Sequence, residues 1–288
     1  MELQTKVNIG KSEWQIAPTD HLLFVGSCFA ANIGQHFCDY QFRAVVNPFG
    51  VMYNPVSILH TLHRMFSHEL AVADSPSSPE TPRFPVPDVV ILTLGTNHVY
   101  ILKETGEVVD NCQKRPQRLF EEKELSVEEC SAALGQAVSF LKTVSQTVRI
   151  ILTVSPIRYA KYGFHGSQLS KATLLLACHR VVKDHEQDEI PLVYFPAYEI
   201  MNDELRDYRF YAVDMLHPSD QAVEYIWQRF SEIYLNDEAK TFLREWAPLK
   251  ATLAHKPFNP DSEEYRALMD KTMLKIAELQ KKYPTFAL

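Results

Sequence analysis

The chain has 288 residues, of which 46% are hydrophobic and 23% are charged, and its formal net charge is −7. This composition excludes collagen-like, coiled-coil and disordered chains, and a chain of this length buries roughly 75% of its unfolded surface without needing a disulfide or a metal. The acidic balance argues against nucleic acid as the main partner, since phosphate binding requires clustered lysine and arginine.

Strand and helix patterns alternate along the chain. Continuous apolar runs predict buried strands, and apolar residues at helical spacing predict helices. In chain order we expect a strand at 22–25, helices at 28–40 and 55–66, a strand at 88–94, a hairpin at 99–109, a helix at 126–144, a strand at 149–154, a helix at 169–183, a strand at 192–195 and a helix at 220–234. Such alternation favours a parallel sheet covered on both faces by helices, with right-handed crossovers.

Two segments stand outside this pattern. Residues 73–87 contain five prolines among serine and acidic residues, which predicts a surface loop with few backbone hydrogen bonds. The tail contains two helical stretches, 237–247 and 262–281, that follow the last element expected in the sheet. We therefore expect one α/β domain at residues 1–235 and a helical extension at 236–288.

The cysteines and the apolar runs bear on the location of the protein. The five cysteines are spread along the chain without a CxxC motif or zinc-ligand spacing, which is typical of reduced thiols in a cytoplasm. The first ten residues lack the apolar core of a secretory signal, and no apolar run approaches the roughly 18–20 residues of a membrane span. We expect a cytoplasmic protein that neither spans a membrane nor binds a metal.

Ser27 is the candidate nucleophile. It follows the first predicted strand and precedes the first predicted helix, at the carboxyl edge of the sheet, where sites form in such folds. Free N–H groups and the dipole at a helix N-terminus stabilise negative charge, which suits a serine whose attack creates an oxyanion. The alternative is that Ser27 only caps the helix.

Asp214 and His217 are three residues apart, just before the helix expected at 220–234. With this spacing the carboxylate can accept a hydrogen bond from Nδ1 of the imidazole and leave Nε2 facing a substrate. That is the arrangement of the base and its orienting carboxylate in a catalytic triad. The alternative is a carboxylate and a histidine that only hydrogen-bond each other near the start of a helix.

Further polar residues follow the predicted strands. The amide of Asn97 and the backbone N–H of Gly50 are candidate donors to an oxyanion, and the alternative for both is an ordinary turn residue. Arg158 is a candidate to hold an anionic or sugar-like group of a substrate, or else it pairs with a carboxylate at the rim.

Three histidines, at 60, 63 and 68, have no fourth ligand at suitable spacing, so we expect an exposed helix face there and not a metal site.

Taken in order, these candidates resemble the blocks of the SGNH/GDSL hydrolase superfamily. The segment Gly-Ser-Cys-Phe-Ala at 26–30 is the motif that names the GSCFA-domain family. Further segments that resemble this family lie at 47–55, 152–158, 170–172, 194–199, 205–211 and 217–219. The resemblance therefore covers about residues 20–235.

The resemblance implies a flavodoxin-like three-layer α/β/α fold and an esterase-type site that uses no cofactor. Ser27 is expected to attack an ester carbonyl, with His217 as its base and Asp214 orienting the imidazole. The Ser27 N–H, the Gly50 N–H and an asparagine amide are expected to hold the oxyanion. Analogy with the superfamily favours an O-acetyl ester on a small molecule or a glycan as the substrate.

Two positions depart from the superfamily pattern. His98 follows Asn97 where Gly-x-Asn-Asp is usual, and Gln113 stands where relatives are expected to have histidine. Asn111 is therefore a second candidate for the amide donor or for a substrate contact. These departures and the helical tail keep two alternatives open: a binding or scaffold protein that retains the fold without turnover, and an acyltransferase that uses the same triad.

Overall fold

The computed structural model describes residues 4–66, 84–187 and 191–284, so most of the proline-rich loop expected at 73–87 lies outside the described residues. The strands are β1 (His21–Gly26), β2 (Arg43–Val46), β3 (Val89–Leu94), β4 (His98–Leu102), β5 (Val108–Val109), β6 (Phe120–Glu124), β7 (Arg149–Val154) and β8 (Leu192–Phe195). The longer helices are α1 (Cys28–Asp39), α2 (Pro55–Phe66), α3 (Val127–Val144), α4 (Gly163–Asp184), α5 (Asp220–Tyr234), α6 (Asp237–Ala254) and α7 (Glu263–Lys282). Short helical turns span Gln117–Leu119, Ala160–Tyr162, Ala197–Glu199, Ile200–Glu204 and Tyr208–Phe210.

Five parallel strands form the central sheet in the order β2-β1-β3-β7-β8. Numbered among themselves, these strands have the order 2-1-3-4-5 of the flavodoxin-like doubly wound fold. One core lies between the sheet and α1, α5, α6 and α7, and the other lies between the sheet and α2, α3 and α4. The predicted three-layer fold with a parallel sheet is therefore confirmed.

Strand β1 shows why the parallel sheet reads as continuous apolar runs. Leu22 and Phe24 belong to the first core, whereas Leu23 and Val25 belong to the second. Because helices cover both faces, every position of the strand after His21 is buried and no polar alternation remains.

A second, smaller sheet follows β3 and has the antiparallel order β5-β4-β6. The hairpin predicted at 99–109 corresponds to β4 and β5. The pattern analysis did not identify β6, because this edge strand reads Phe-Glu-Glu-Lys-Glu and carries charges on both faces. It also did not identify β2, whose four residues at the edge of the central sheet are all only half-buried.

Two helices extend beyond their predicted ends. Helix α4 begins at Gly163, earlier than the expected residue 169, since the turn Ala160–Tyr162 leads directly into it. Helix α6 continues past the expected residue 247 to Ala254 and contains Pro248. Burial of Trp246 and Leu249 on either side of this proline compensates for the hydrogen bond that proline removes.

The helical extension packs against the C-terminal end of α1. Trp246 Nε1 donates to the Asp39 carbonyl oxygen at 2.9 Å, and Lys250 Nζ lies 2.7 Å from the Asp39 carboxylate. Helix α1 has 12 residues and is therefore about 18 Å long. These contacts thus lie at the opposite end of α1 from Ser27.

None of the helices in the described ranges is long and apolar enough to cross a membrane.

Candidate active site

Ser27 lies at the junction between β1 and α1 and caps the helix. Its backbone is extended, with φ −67° and ψ 178°, and its Oγ accepts a hydrogen bond from the Phe29 N–H at 3.3 Å. Its own N–H donates to the Thr93 carbonyl oxygen at 3.0 Å, and the residue is only 1% exposed. The hydroxyl therefore sits among the free N–H groups of the helix start, where negative charge is stabilised.

The backbone N–H of Cys28, the residue after Ser27, makes no hydrogen bond within the first turn of the helix. In the first turn, Phe29 donates to Ser27 Oγ, and Ala30 and Ala31 donate to the Ser27 carbonyl oxygen. The Cys28 N–H takes part in none of these bonds, as expected for the first position of a helix. Because the Ser27 N–H is occupied by Thr93, the Cys28 N–H is a candidate oxyanion donor that sequence reasoning missed. The position of Cys28 directly after a serine cap was the available signal.

Asp214 and His217 form a short hydrogen-bonded pair. Asp214 Oδ2 lies 2.6 Å from Nδ1 of His217, and Asp214 Oδ1 accepts from the N–H groups of Leu216 and His217 at 2.9 and 3.0 Å. These hydrogen bonds, led by the one from the His217 N–H, lower the pKa of Asp214 to about 2. The carboxylate is therefore ionised at neutral pH. The Nε2 atom of His217 makes no hydrogen bond to a described residue, and 43% of the side chain is exposed.

Arg158 holds the loop that carries this pair. Its backbone N–H donates to the Leu216 carbonyl oxygen at 3.0 Å, and its guanidinium Nη1 donates to the Met215 carbonyl oxygen at 3.1 Å. The guanidinium carbon also lies 3.9 Å from the centre of the Phe164 ring and 5.3 Å from that of Tyr211. Arg158 thus binds the loop that carries His217 and also packs against the Phe164 and Tyr211 rings.

Two tyrosines, Tyr53 and Tyr159, connect the helix start at Ser27 with the segment that contacts the Asp214–His217 loop. The hydroxyl of Tyr53 is 3.6 Å from Sγ of Cys28, and its ring centre is 5.9 Å from that of Tyr159, the residue after the arginine that holds the loop. Strands β1 and β7 end at the same edge of the parallel sheet, so both segments lie at that edge. No hydrogen bond joins Ser27 Oγ directly to His217 in the described structure.

Asn97 is buried, and its amide is partly occupied. Its Nδ2 donates to the Leu125 carbonyl oxygen at 2.8 Å, and its Oδ1 has no partner among the described residues. Reversing the amide would set an oxygen against a carbonyl oxygen, so the orientation is fixed. The second hydrogen of this amide makes no hydrogen bond to a described residue.

The two other predicted amide donors lie in turns. The Gly50 N–H donates to the Asn47 carbonyl oxygen at 2.9 Å, and Asn47 Oδ1 in turn accepts from the Gly26 N–H at 2.8 Å. An oxyanion role for Gly50 therefore requires its N–H to be shared with this turn. Asn111 lies in an exposed loop, where its Oδ1 accepts from the Gln113 N–H at 2.8 Å.

The histidines of α2 make separate contacts. His60 Nδ1 lies 3.0 Å from Asp110, and the His63 ring lies 4.2 Å from that of Phe140, whereas the histidine at position 68 is outside the described residues. Within the ranges that the structure describes, no group of three or more histidine, cysteine, aspartate or glutamate side chains is placed to hold a metal ion.

Two adjacent residues of α4 contact the loop after β3, and sequence reasoning assigned them no role. Lys171 Nζ donates to the Gly95 carbonyl oxygen at 2.6 Å, and Ser170 Oγ accepts from the Asn97 N–H at 3.0 Å. Both residues are buried. The only signal in the sequence was their occurrence in one of the segments that resemble the GSCFA-domain family.

The sequence matches two family models. The model described as the GSCFA family matches residues 21–78 and 82–230, and the model described as the C-terminal domain of GSCFA domain proteins matches residues 246–288. A search of curated proteins found no match.

The fold is similar to several solved structures. A carbohydrate esterase family 3 protein from Talaromyces cellulolyticus is 10% identical, with 74% of this chain and 95% of that chain covered and a TM-score of 0.43. A GDSL-like lipase from Bacteroides thetaiotaomicron is 12% identical, with 74% and 87% covered and a TM-score of 0.45. A catalytic mutant of an acetylxylan esterase from Geobacillus stearothermophilus is 16% identical, with 77% and 97% covered and a TM-score of 0.46.

Proposed function

The chain belongs to the GSCFA family, and from this premise we propose that it is a serine esterase or deacylase that hydrolyses an O-acyl ester. The observation that carries the proposal is the 2.6 Å pair of Asp214 and His217, whose loop lies at the same edge of the sheet as Ser27. An ionised carboxylate on Nδ1 selects the tautomer in which Nε2 is free to accept a proton.

The chemistry begins when Ser27 Oγ attacks the ester carbonyl carbon and His217 Nε2 takes up its proton. The resulting imidazolium is stabilised by Asp214, and it then protonates the leaving alcohol to give an acyl-serine. Water, deprotonated by the same imidazole, attacks the acyl-serine, and the acid is released as the imidazolium returns the proton to Ser27 Oγ. The bond that Oγ accepts from the Phe29 N–H uses one lone pair of the hydroxyl and leaves its proton free to be donated to the imidazole.

The oxyanion of each tetrahedral intermediate needs preorganised donors. We assign this role to the Cys28 N–H and the remaining amide hydrogen of Asn97, with the Gly50 N–H joining them by sharing its turn bond. The Ser27 N–H, which was also expected to contribute, would likewise have to share its bond to Thr93. The positive end of the α1 dipole favours the same charge.

For the substrate, the family resemblance favours a small acyl group such as acetyl, carried by a small molecule or a glycan. Arg158 supports this choice, because its guanidinium and the rings of Phe164 and Tyr211 offer both hydrogen-bond donors and flat surfaces to a sugar or an anionic group. Asn111 is a second, more exposed candidate for a polar contact with the substrate.

The test compares labelling by a fluorophosphonate probe and turnover of p-nitrophenyl acetate in the wild type and in Ser27→Ala and His217→Ala. Both variants should lose turnover by about a thousandfold or more, and Ser27→Ala should lose labelling. Ser126→Ala is the matched control, because Ser126 also caps a helix, α3, but outside the site. Equal labelling and turnover in all four proteins would overturn the proposal.

A second candidate function is a binding or scaffold protein that has lost turnover. It is favoured by the burial of Ser27, which is 1% exposed, and by the absence of a direct hydrogen bond between this serine and His217 in the described structure. A wild type that neither reacts with the probe nor hydrolyses the ester would support this candidate. Product analysis with added alcohols separates hydrolysis from acyl transfer by the same residues.

A further inference from the structure

Lys171 is a buried lysine that has no counter-ion among the described residues. It lies in α4, is 2% exposed, and donates its one hydrogen bond among the described residues to the Gly95 carbonyl oxygen at 2.6 Å. No carboxylate of the described chain lies within ion-pair distance of its ammonium group. Lysine is almost never fully buried unless it is paired, because removing an ammonium group from water is costly. The burial of a lysine at this position therefore calls for a role.

The group that Lys171 holds belongs to the wall beside the candidate nucleophile. A Cβ atom at Gly95 would lie 3.4 Å from Cβ of Ser27, so this backbone is in contact range of the serine. The N–H groups of Gly95 and Thr96 both donate to the Tyr53 carbonyl oxygen at 2.8 Å. The Gly95–Thr96 peptide group is thus held by Lys171 at its oxygen and by Tyr53 at its nitrogen.

The neighbouring residue of α4 secures the rest of the same loop. Ser170 Oγ accepts from the Asn97 N–H at 3.0 Å and lies 3.1 Å from the Thr96 hydroxyl. Two consecutive helix residues therefore hold three consecutive loop residues, ending at the asparagine whose amide is a proposed oxyanion donor. Of these two helix residues only Lys171 can carry a charge. Its effect on catalysis can therefore be distinguished from that of Ser170 by changing the pH.

We propose that Lys171 is a positioning residue of the esterase site, which holds and polarises the Gly95–Thr96 peptide group so that the loop from Gly95 to Asn97 is fixed against Ser27. This inference rests on the proposed function. An ammonium donor makes a stronger hydrogen bond to a carbonyl than a neutral amine does. Loss of the charge should therefore loosen the loop and slow the acyl-transfer steps without unfolding the protein.

The charge of Lys171 depends on pH near neutrality. Burial lowers the pKa of its ammonium group to about 7, so the charged form is lost as the pH rises through that value. Tyr198 is the titratable side chain whose ring faces this ammonium group, at 6.0 Å, and burial raises the pKa of its hydroxyl, which keeps it neutral over the tested range. We expect kcat to decline between pH 7 and 8.5 for this reason.

The experiment measures kcat and KM for p-nitrophenyl acetate from pH 6 to 8.5, together with the midpoint of thermal unfolding. Lys171→Met should lower kcat at least about tenfold at pH 6.5, leave KM nearly unchanged, and abolish the decline above pH 7. Its unfolding midpoint should equal or exceed that of the wild type, because methionine removes an unpaired buried charge. Ser170→Ala, the matched control, should lower kcat but retain the decline.

The proposal is overturned if Lys171→Met has the kcat and pH profile of the wild type, or if its kcat falls only in proportion to a lower unfolding midpoint. If this variant does not fold, the wild-type profile decides, since a kcat that does not decline between pH 7 and 8.5 contradicts the proposal. Full activity of Ser27→Ala would instead overturn the esterase itself, so the two failures are distinguishable.

Discussion

The carboxylate of Asp214 accepts three hydrogen bonds within one four-residue loop. Two come from the N–H groups of Leu216 and His217 and one comes from the imidazole of His217. The same two oxygens therefore close the loop and orient the candidate base. Because all of these partners are local, the orientation of the imidazole depends on this single side chain more than on any distant contact.

Replacing Asp214 by asparagine should lower kcat/KM for p-nitrophenyl acetate by about 10²–10⁴, because an amide nitrogen cannot accept from Nδ1 and the wrong tautomer is favoured. Leu216→Ala, which keeps the backbone N–H, is the control and should remain within about threefold of the wild type. Steady-state kinetics at pH 7 is the measurement. Full activity of the Asp214→Asn variant would show that Asp214 has no role in the mechanism.

The stability of the same variant should depend on pH in a defined way. The folded state lowers the pKa of Asp214 from 3.8 to about 2, so the carboxylate stabilises the fold above pH 3.8, and this stabilisation is lost as the pH falls towards 2. The difference in unfolding midpoint between wild type and Asp214→Asn should be constant from pH 7 to 5 and shrink below pH 4. Thermal unfolding from pH 2.5 to 7 checks this, and a difference that shrinks already between pH 7 and 5 would contradict it.

At the scale of elements, the junction between β1 and α1 requires close approach of two backbones. Gly26 has φ +150°, and a Cβ atom there would lie 2.1 Å from the Thr93 carbonyl oxygen, which accepts the Ser27 N–H. A side chain at this position would push β1 away from β3 and displace the serine. The glycine of the Gly-Ser-Cys-Phe-Ala motif is thus explained by packing of the sheet as well as by the turn.

Gly26→Ala should therefore lower the free energy of unfolding by about 4 kcal/mol or more, or prevent folding. Gly135→Ala provides the matched control, because Gly135 lies inside α3 with no atom within 4 Å of an added Cβ. Alanine there should stabilise the protein by about 0.5–1 kcal/mol. Urea unfolding measures both values, and similar values for the two variants would refute the close-approach explanation.

At the scale of the whole molecule, the helical extension shares its core with the α/β domain. Phe242 packs edge-on against Phe42 with ring centres 5.5 Å apart, and Trp246 is 1% exposed. These side chains belong to the same core as Phe37 of α1 and Trp227 of α5. We therefore expect the extension to stabilise the domain from the end of α1 that is remote from Ser27.

Trp246→Ala should lower the free energy of unfolding by about 3–5 kcal/mol, because it opens a large cavity. It should leave kcat/KM for p-nitrophenyl acetate within about twofold of the wild type, since the contact lies about 18 Å from Ser27 along α1. Phe258→Ala is the control and should change stability by less than about 0.5 kcal/mol, because Phe258 is fully exposed. A loss of activity at unchanged stability would show that the extension acts on the site.

Much of the architecture was predictable because its signals are local or periodic. Strand and helix alternation predicted the parallel sheet, and the family motifs predicted the family that the two family models then confirmed. The weak elements were missed for different reasons: β2 is only four residues long and half-buried, and β6 carries charged residues on both faces. The start of α4 was misplaced because no side chain caps it.

The sequence by itself determined which groups interact across a few residues: Ser27 as a helix cap and Asp214 as the partner of His217. Such contacts follow from spacing alone, because the chain between the partners has few conformations. Only the tertiary structure decided that the Asn97 amide binds Leu125 and that Lys171 is buried against Gly95, 76 residues away in the chain. Burial and long-range pairing depend on how the layers pack, and no local pattern encodes the packing of a charged side chain whose partner lies on another element.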